Sequence, residues 1–382
     1  MFSLDPRIVE HSSTSQRRME GYASLVNELS IVLLSKGGSI LRNGNLSIYP
    51  TSKNRAVSFF YALFISFRIL YKKKYDLITT QDPFIVPLIA YPLAILFRLP
   101  LQVQVHSTFL SPFWQESLKN TLYQFLAKFF LTKAVFIRVV SERIKISIIE
   151  NLKVPPSNIF LLPIFTDTKR LVHSEPSFTM RVKYPHFDFV LLIASRLVKQ
   201  KNIELAINAF KILVKENPRM GLIIVGSGPC ERELKEHRIG FENNIVFESW
   251  SNDLPSYYKG ADVFLLTSNY EGWAMTIIEA MATGTAVIMT DVGCAGEVVK
   301  NGLNGVIIPI GDQDALVKAI ERLYRDPTER KRLGDAGQKT VLNMTPRTWK
   351  EYLMLYKKSL EYCIEIYKKE HQNRGIKGFN TR

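Results

Sequence analysis

The sequence is poor in cysteine and has no long apolar run. Its 382 residues include Cys230, Cys294 and Cys363, a scattered set without metal-ligand spacing. We expect reduced thiols in a cytoplasmic protein. The two most apolar stretches, 56–70 and 84–99, are shorter than the roughly 20 residues of a membrane span, so we predict two buried helices. The first residues lack the apolar core of a signal peptide, and none is expected.

Acidic residues are also scarce, and the deficit is uneven along the chain. There are 50 Lys and Arg against 35 Asp and Glu, a net charge of +15. Residues 1–172 hold 21 basic and 10 acidic side chains, and the remainder holds 29 and 25. The basic first half indicates an anionic partner: a membrane surface, nucleic acid or a phosphorylated substrate. The aromatic, lysine-bearing segment 109–130 would suit peripheral membrane contact, although ordinary packing explains its apolar side equally well.

Length predicts about two domains, and the alternation of apolar strand-like runs with helix-like segments predicts parallel sheets in both. A polar, proline-containing stretch, 166–185, is the predicted linker between an N-terminal domain (1–170) and a C-terminal domain (186–345). At the start, either the first strand is a stub before Asp5-Pro6 or the start is late. The strands are predicted at 31–34, 46–49, 77–80, 101–105, 135–140, 159–164, 190–194, 222–225, 245–247, 263–267, 286–290 and 306–309, with helices including 56–73 and 115–131.

Two glutamates follow one predicted strand in the second half. Glu271 follows the strand run 263–267 on a loop, and Glu279 comes eight positions later, in a helix that should begin near Met275. In open α/β sheets, ligands bind at the carboxyl edge of the strands. This placement predicts a binding site with two carboxylates.

Two cations lie at the end of another strand of the same half. Arg196 and Lys201 follow the run 190–194 and precede the next predicted helix. Cations at a helix N-terminus are electrostatically disfavoured unless an anion lies between them. A guanidinium and an ammonium at that position suit a diphosphate.

The Glu-x7-Glu spacing and the Arg-Leu-x-x-x-Lys pattern resemble the large family four of retaining GT-B glycosyltransferases. The resemblance implies two Rossmann-like, doubly wound domains facing a cleft, with a final segment, 346–382, that returns to the first domain. It implies transfer of a sugar, expected to be a hexose, from a nucleotide-diphosphate sugar to an acceptor hydroxyl with retained configuration. The acceptor would be a saccharide or a lipid-linked sugar, in polysaccharide or glycolipid assembly.

The resemblance also implies roles for individual residues. Arg196 and Lys201 would stabilise the departing diphosphate, so neither a metal nor another cofactor is expected. Glu279 would accept hydrogen bonds from the ribose hydroxyls, and Glu271 would contact hydroxyls of the transferred sugar. His106, at a strand end in the first domain, would hydrogen-bond to that sugar across the cleft.

The loop between the two glutamates contributes further donor-binding candidates. The amides of Met275 and Thr276 would point at the diphosphate from the start of the helix. Gly272 and Trp273 would lie beside the sugar. The family usually has an aromatic residue followed by glycine, whereas this chain has Trp273-Ala274, and alanine should fit if its dihedral angles are ordinary.

Other residues are more ambiguous. Trp250 is expected either to stack on the nucleobase or to fill the core. The Gly226-Ser-Gly228 turn matches a family turn that shapes the cleft wall, and NAD binding is not expected because the third glycine of that fingerprint is missing. Glu297 is expected to support its loop, and Cys294 to fill space.

The opening loop, 12–21, departs from the family. The family usually has a pair of glycines there, and this chain has only Gly21. Arg17 and Arg18 could bind an anionic acceptor or be simply solvated. Two alternatives to the transferase remain. One is a basic, nucleic-acid-binding Rossmann-like protein, whereas no nucleic-acid partner is expected for the transferase. The other is a catalytically inert GT-B scaffold.

Overall fold

The computed structural model describes residues 1–11, 13–35, 38–51, 54–114 and 117–379. The chain forms two compact units. Unit 1 comprises Met1–Pro163 and Lys350–Arg382, and unit 2 comprises Ile164–Trp349. Each unit contains a mainly parallel sheet with helices between successive strands.

Unit 1 contains an eight-stranded sheet. Its elements in chain order are β1 (Phe2–Ser3), α1 (Thr14–Ala23), β2 (Leu29–Leu33), β3 (Leu41–Asn43), β4 (Leu46–Pro50), α2 (Arg55–Lys72), β5 (Ile78–Thr80), α3 (Pro87–Leu96), β6 (Leu101–Val105), α4 (Leu118–Lys133), β7 (Phe136–Val139), α5 (Glu142–Leu152) and β8 (Ile159–Leu161). The strand order is β3-β4-β2-β1-β5-β6-β7-β8, and all neighbours are parallel except β3 and β4. The six strands predicted in this half are confirmed within three residues at each end.

Two elements of unit 1 were not predicted. The exposed edge strand β3 lacks the apolar signal of a central strand, and it is joined to β4 through Gly44, which has a φ of 57°. Residues predicted as the opening loop instead form α1, with the Ser13 hydroxyl accepting a hydrogen bond from the Gln16 amide as its N-cap. Ser12 lies outside the described residues.

The prediction of two buried apolar helices is wrong for α2. Its side chains Phe60, Phe64 and Tyr71 are 70%, 59% and 77% exposed, whereas half of the residues of α3 are buried and only its last turn, with Ile95 and Leu96, is strongly exposed. The sequence could not reveal this because α2 is apolar on more than the one face that packs. No helix among the described residues is both long and apolar enough to cross a membrane. Helix α4 is observed from Leu118, and its predicted start, Gln115, lies outside the described residues.

Unit 2 contains a six-stranded sheet. Its elements in chain order are α6 (Thr168–His173), α7 (Met180–Lys183), β9 (Phe189–Ala194), α8 (Ile203–Val214), β10 (Met220–Val225), α9 (Glu231–His237), β11 (Ile245–Glu248), α10 (Leu254–Gly260), β12 (Val263–Leu266), α11 (Met275–Ala282), β13 (Ala286–Thr290), β14 (Val306–Ile308), α12 (Gln313–Arg325) and α13 (Pro327–Leu342). The strand order is β11-β10-β9-β12-β13-β14, with all neighbours parallel. Every residue of β9, β10, β12 and β13 is buried, as expected of a sheet covered on both faces. All six predicted strands are confirmed.

The predicted linker, 166–185, is instead part of unit 2. It contains α6, which packs on α11, and α7, which packs on α10. Leu171, Met180 and Tyr184 are buried. Met180 lies so close to Gly260 that a Cβ added to Gly260 would be 2.2 Å from the Met180 Cγ. A few apolar anchors in a polar stretch suffice to dock the segment, and the composition concealed them.

The long last helix, α14 (Trp349–Phe379), belongs to unit 1 from Lys350 onward, so the returning segment is confirmed. Its Tyr356 ring stacks on Tyr22 of α1 with centroids 3.8 Å apart. The helix continues to Phe379, and residues 380–382 lie outside the described part.

Candidate functional site

The strand-end loops of β9 and β12 meet at the carboxyl edge of the unit 2 sheet because these strands are neighbours. Lys201, on the β9 loop, forms an ion pair with Glu271, on the β12 loop. The Ser268 hydroxyl also donates to Glu271 Oε1, at 2.7 Å. The Lys201 and Glu271 side chains are only 15% and 10% exposed, so each charge depends on the other for compensation.

Backbone and amide contacts hold the same two loops together. The Asn269 amide donates to the Gln200 carbonyl at 2.9 Å, and the Asn202 side-chain amide donates to Asn269 Oδ1 at 3.0 Å. The Thr267 hydroxyl donates to the Lys201 carbonyl at 3.1 Å. Asn202 has a φ of 43°, a left-handed conformation that asparagine tolerates better than most residues. These bonds fix Lys201 before any ligand binds.

Arg196 lies on the β9 loop with an exposed guanidinium that makes no hydrogen bond or ion pair with any other described residue. The glycine turn after β10 holds its backbone. A Cβ at Gly226 would lie 1.9 Å from the Ser195 carbonyl oxygen, and one at Gly228 would lie 2.3 Å from that of Leu197. Glycine is therefore required at both positions for close backbone approach, and the turn fixes the loop while the guanidinium stays available.

Glu279, on the second turn of α11, accepts a hydrogen bond from the buried Tyr258 hydroxyl at 2.8 Å. Burial raises the pKa of Glu279, while the Tyr258 bond and the positive charge of Arg170 oppose that rise. Glu279 is partly exposed, and its carboxylate has no other hydrogen bond to a described residue. Sequence reasoning missed Tyr258, because a tyrosine on a short helix carries no signal of its own.

Helix α11 begins at Met275, as predicted. Ala274, its N-cap, has φ and ψ of 69° and 63°, a left-handed conformation, so the condition of ordinary dihedral angles for an alanine at this position is not met. The first amides of the helix, Met275 and Thr276, have no intrahelical acceptor. The preceding Trp273 is buried, and its indole nitrogen lacks a hydrogen-bond partner among the described residues. Gly272 is buried in the same loop.

The loop after β13 packs against this segment through Gly293. Its φ is 56°, and a Cβ there would lie 3.0 Å from both the Glu271 Cβ and the Trp273 carbonyl oxygen. Cys294 is fully buried, which agrees with a space-filling role. Glu297 lies on the same loop and is partly exposed.

Trp250, after β11, is 50% exposed, so the core-filling interpretation is wrong and the indole face is accessible. In unit 1, His106 follows β6 at the carboxyl edge and is half-buried, with its Nε2 3.4 Å from Arg138 Nη2. Burial and the positive charges of Arg138 and Arg18 lower the pKa of His106 well below its usual range. Arg17 lies exposed on α1.

Acidic residues and histidines do not form a metal-binding group in the described part of the chain. Asp312-Gln-Asp314 has the form of an Asp-x-Asp metal-binding motif. The structure assigns Asp312 another function, because its carboxylate accepts the Ala315 amide at 2.8 Å and caps α12.

Comparisons with known proteins agree with the fold. Residues 179–340 match the family Glycosyl transferases group 1, and residues 21–170 match Glycosyltransferase Family 4. The sucrose-phosphate synthase of Thermosynechococcus elongatus is similar in structure, with a TM-score of 0.74, 21% identity and 90% of each chain covered. Anabaena Alr3699/HepE in complex with UDP-glucose has a TM-score of 0.74 at 19% identity, covering 94% of this chain and 98% of that one.

Curated relatives point in the same direction. A putative glycosyltransferase, EpsD of Bacillus subtilis, is 30% identical over 50% of this chain and 52% of its own length. The UDP-Gal:alpha-D-GlcNAc-diphosphoundecaprenol alpha-1,3-galactosyltransferase of Escherichia coli is 27% identical over 68% of this chain and 69% of its own. The chain spans about half the length of several of the curated relatives it matches.

Two α/β units with mainly parallel sheets, together with these structural neighbours, define the class as GT-B. The chain belongs to the Glycosyl transferases group 1 family of that class.

Proposed function

We propose that the protein transfers a sugar from a nucleotide-diphosphate donor to an acceptor hydroxyl, with retained configuration, in polysaccharide or glycolipid assembly. The observation that carries the proposal is the edge of the unit 2 sheet, where the Lys201–Glu271 pair lies on the same strand-end loops as the unpartnered Arg196. The E. coli relative is a galactosyltransferase named for a diphosphoundecaprenol-linked acceptor, which supports the glycolipid version.

On the leaving-group side, Arg196 and Lys201 would neutralise the negative charge that develops on the diphosphate as the sugar departs. Arg196 is suited to this because its guanidinium has no competing partner among the described residues. The free amides of Met275 and Thr276 would add donors from the helix N-terminus. These groups can stabilise a diphosphate directly, and no metal or cofactor is part of the proposal.

On the nucleoside and sugar side, Glu279 would accept bonds from the ribose hydroxyls through the oxygen that Tyr258 leaves unoccupied. Glu271 uses Oε1 for Lys201 and Ser268, so its Oε2 is the oxygen available to a sugar hydroxyl. The unpartnered indole N–H of Trp273 would donate to the same ligand, since a buried donor without an acceptor is costly. The exposed Trp250 would stack on the nucleobase.

The first experiment is a thermal-shift panel of nucleoside diphosphates and nucleotide sugars, because a tight ligand stabilises the native state by mass action. Transfer is then measured with the best donor in Arg196→Ala and in the matched control Lys199→Ala, which removes an exposed cation from the same loop. We expect a loss of roughly 100- to 1,000-fold for Arg196→Ala, by analogy with removal of one oxyanion donor, and little change for the control. Product anomeric configuration, read by NMR, tests retention.

Adding nucleic acid to the panel, and testing turnover on several acceptors, separates the two alternatives. Stabilisation by a nucleotide sugar without turnover on any acceptor would favour the inert scaffold. Stabilisation by nucleic acid, weakening with salt and without any nucleotide-sugar effect, would favour the nucleic-acid-binding protein. Equal turnover in Arg196→Ala and in the parent would remove the leaving-group role.

We further propose that unit 1 docks peripherally on an anionic membrane, at the cytoplasmic face where the donor would be available. The support is an apolar patch on α2, α3 and α4, which we call the α2–α4 surface. Phe67 of α2 contacts Phe97, just after α3, and Tyr91 of α3 contacts Phe129 of α4, so the three helices pack side by side. Its exposed members are Val57, Phe60, Tyr61, Phe64, Phe67, Tyr71, Ile95, Leu96, Leu118, Leu122, Phe125 and Phe129.

Basic side chains border the α2–α4 surface. A groove of about 710 Å³ between α2 and the β3–β4 hairpin is lined by Arg42, Arg68, Lys72 and Lys73. Lys73 pairs with Glu28 at 2.8 Å, whereas the other three have no ion pair with described residues. Exposed aromatic rings beside free cations are typical of a surface that binds anionic lipid.

Sedimentation with neutral and anionic vesicles, at low and high salt, tests the docking proposal. We expect binding to anionic vesicles that salt weakens, with each cation contributing on the order of 1 kcal/mol. The double variant Phe60→Ser and Phe64→Ser should lose binding, and Ile239→Ser, which removes an exposed apolar side chain from unit 2, should not. Negligible binding of the parent protein to both kinds of vesicle would remove this proposal and leave the transferase proposal intact.

A further inference from the structure

Arg138 of β7 is a buried cation without an acidic partner in the part of the chain that the structure describes. Its side chain is 1% exposed, and no carboxylate of the described residues forms an ion pair with it. The groups around it are Gln104 of β6 and the tyrosines Tyr22, Tyr352 and Tyr356 of α1 and α14. Burying a charge without an opposite charge costs desolvation free energy, so we expect a role that depends on the position of this guanidinium.

The position of Arg138 is fixed by several hydrogen bonds. Its Nε and Nη2 donate to Gln104 Oε1 at 3.2 and 2.7 Å, and its Nη1 donates to the Leu162 carbonyl at 3.3 Å. The Gln104 amide is itself held, because its Nε2 donates to the Tyr356 hydroxyl at 2.9 Å and to Thr79 Oγ1 at 3.0 Å. The guanidinium is therefore held from β6, from the chain after β8 and, through Gln104, from α14.

Arg138 also contacts His106, which follows β6. Its Nη2 lies 3.4 Å from His106 Nε2. A guanidinium has five donors and no acceptor, so a hydrogen bond here requires His106 Nε2 to be the acceptor. We infer that Arg138 is a positioning residue that holds His106 as a neutral imidazole with its proton on Nδ1, ready to donate to a ligand at the carboxyl edge of the unit 1 sheet.

The arrangement gives His106 a single role. With Nε2 occupied as an acceptor, Nδ1 has no partner among the described residues, and its N–H is available to a ligand hydroxyl or phosphate oxygen. Protonation of the ring would make Nε2–H face an N–H of Arg138 and would place a positive charge beside that guanidinium. The positive charge of the nearby Arg18 of α1 disfavours protonation further. The inference rests on the proposed transferase function only for the ligand, because tautomer and protonation are properties of the free protein.

The first test is made on the unmodified protein. With ¹⁵N-histidine labelling and His106→Gln to assign the resonance, ¹⁵N chemical shifts report which ring nitrogen carries the proton. We expect the neutral Nδ1–H tautomer throughout the range from about pH 6 to about pH 8, where an ordinary histidine titrates. A neutral Nε2–H tautomer, or an imidazolium within that range, would overturn the inference whether or not the protein transfers sugar.

Two variants separate the hydrogen bond from the charge. Arg138→Met removes both and should give a mixture of tautomers and titration nearer the usual range. Arg18→Met removes a nearby charge that makes no hydrogen bond to the ring, and it should keep the Nδ1–H tautomer. An Arg138→Met protein that folds and retains that tautomer would refute the positioning role.

Kinetics with the donor found by the panel provide a second readout. Loss of one oriented donor should lower kcat/KM by about 5- to 10-fold in Arg138→Met, from the usual worth of a hydrogen bond, and add a decline at acidic pH as the ring protonates. A pH profile parallel to that of the parent would contradict the role. Absence of any transfer in the parent would count against the proposed function and leave the NMR result standing.

Discussion

Replacing Glu279 by Gln should weaken ligand binding and stabilise the fold at the same time. The change is nearly isosteric, and the amide oxygen of Gln can still accept the Tyr258 hydroxyl, which lies 2.8 Å from Glu279 Oε2. What is lost is the negative charge on the oxygen proposed to bind ribose. A glutamate that served only the helix would not produce opposite effects on affinity and stability.

The expected loss of affinity follows from the type of bond. Hydrogen bonds to charged groups are worth about 1.5–3 kcal/mol, and each 1.4 kcal/mol is about tenfold in Kd. Glu279→Gln should therefore bind the nucleoside diphosphate roughly 10- to 150-fold more weakly. Isothermal titration calorimetry with the nucleotide found by the thermal-shift panel measures this directly.

The stability effect has a definite sign and pH window. Burial raises the pKa of Glu279 above its ordinary value of 4.5, so the native state holds this proton more tightly than the unfolded state. The stability that the group contributes is present at acidic pH and is lost as pH rises above 4.5 through the raised native pKa. Glu279→Gln should therefore have a higher Tm than the parent at neutral pH, and the difference should shrink as pH falls toward 4.5.

Tyr258→Phe is the control for this reasoning. It removes the donor that stabilises the Glu279 carboxylate, so it should lower the Tm at neutral pH and have a smaller effect in acid. In the Glu279→Gln background the same change should no longer depend on pH. Unchanged nucleotide affinity in Glu279→Gln, or a Tm below that of the parent at neutral pH, would refute the argument.

Three further predictions concern the same edge of unit 2. Gly228→Ala, whose Cβ would lie 2.3 Å from a backbone carbonyl oxygen, should lower the free energy of unfolding by about 1–3 kcal/mol and reduce transfer, measured by urea denaturation and turnover. Ala274→Gly should leave the free energy of unfolding unchanged or raise it by up to about 1 kcal/mol, because alanine is strained in the left-handed conformation. The control Ala280→Gly, in the following helix, should lower the free energy of unfolding by about 1 kcal/mol. An equal loss of unfolding free energy in both variants would contradict the strain at Ala274. Lys201→Met should destabilise by about 3–5 kcal/mol, since it leaves a buried carboxylate unpaired, and adding Glu271→Gln should recover much of that loss; no recovery in thermal denaturation would show that the pair is uncoupled.

Local patterns in the sequence were sufficient for the central strands of both sheets and for their order along the chain. A run such as 190–194 is apolar throughout because its strand is buried on both faces, and that requirement is visible without any partner strand. The start of α11 at Met275 was equally readable. Features with weak local signals were missed: the edge strand β3, and the anchors Met180 and Tyr184 in a polar segment.

The sequence by itself determined the fold class, the strand-end positions of Arg196, Lys201, Glu271 and Glu279, and their chemistry, because strand periodicity and the carboxyl-edge rule act locally. Which of these side chains are paired was decided only by the tertiary structure, since pairing depends on β9 and β12 being neighbours in the sheet.

The structure alone also decided which apolar residues are exposed and which polar residues are buried. The rings of α2 face outward, although its composition is that of a buried helix. Arg138 lies inside unit 1 because Gln104 and the tyrosines of α1 and α14 supply its hydrogen bonds and ring contacts from more than 30 residues away in sequence. Such placements depend on packing between residues that are distant in sequence, so they cannot be predicted from local sequence patterns.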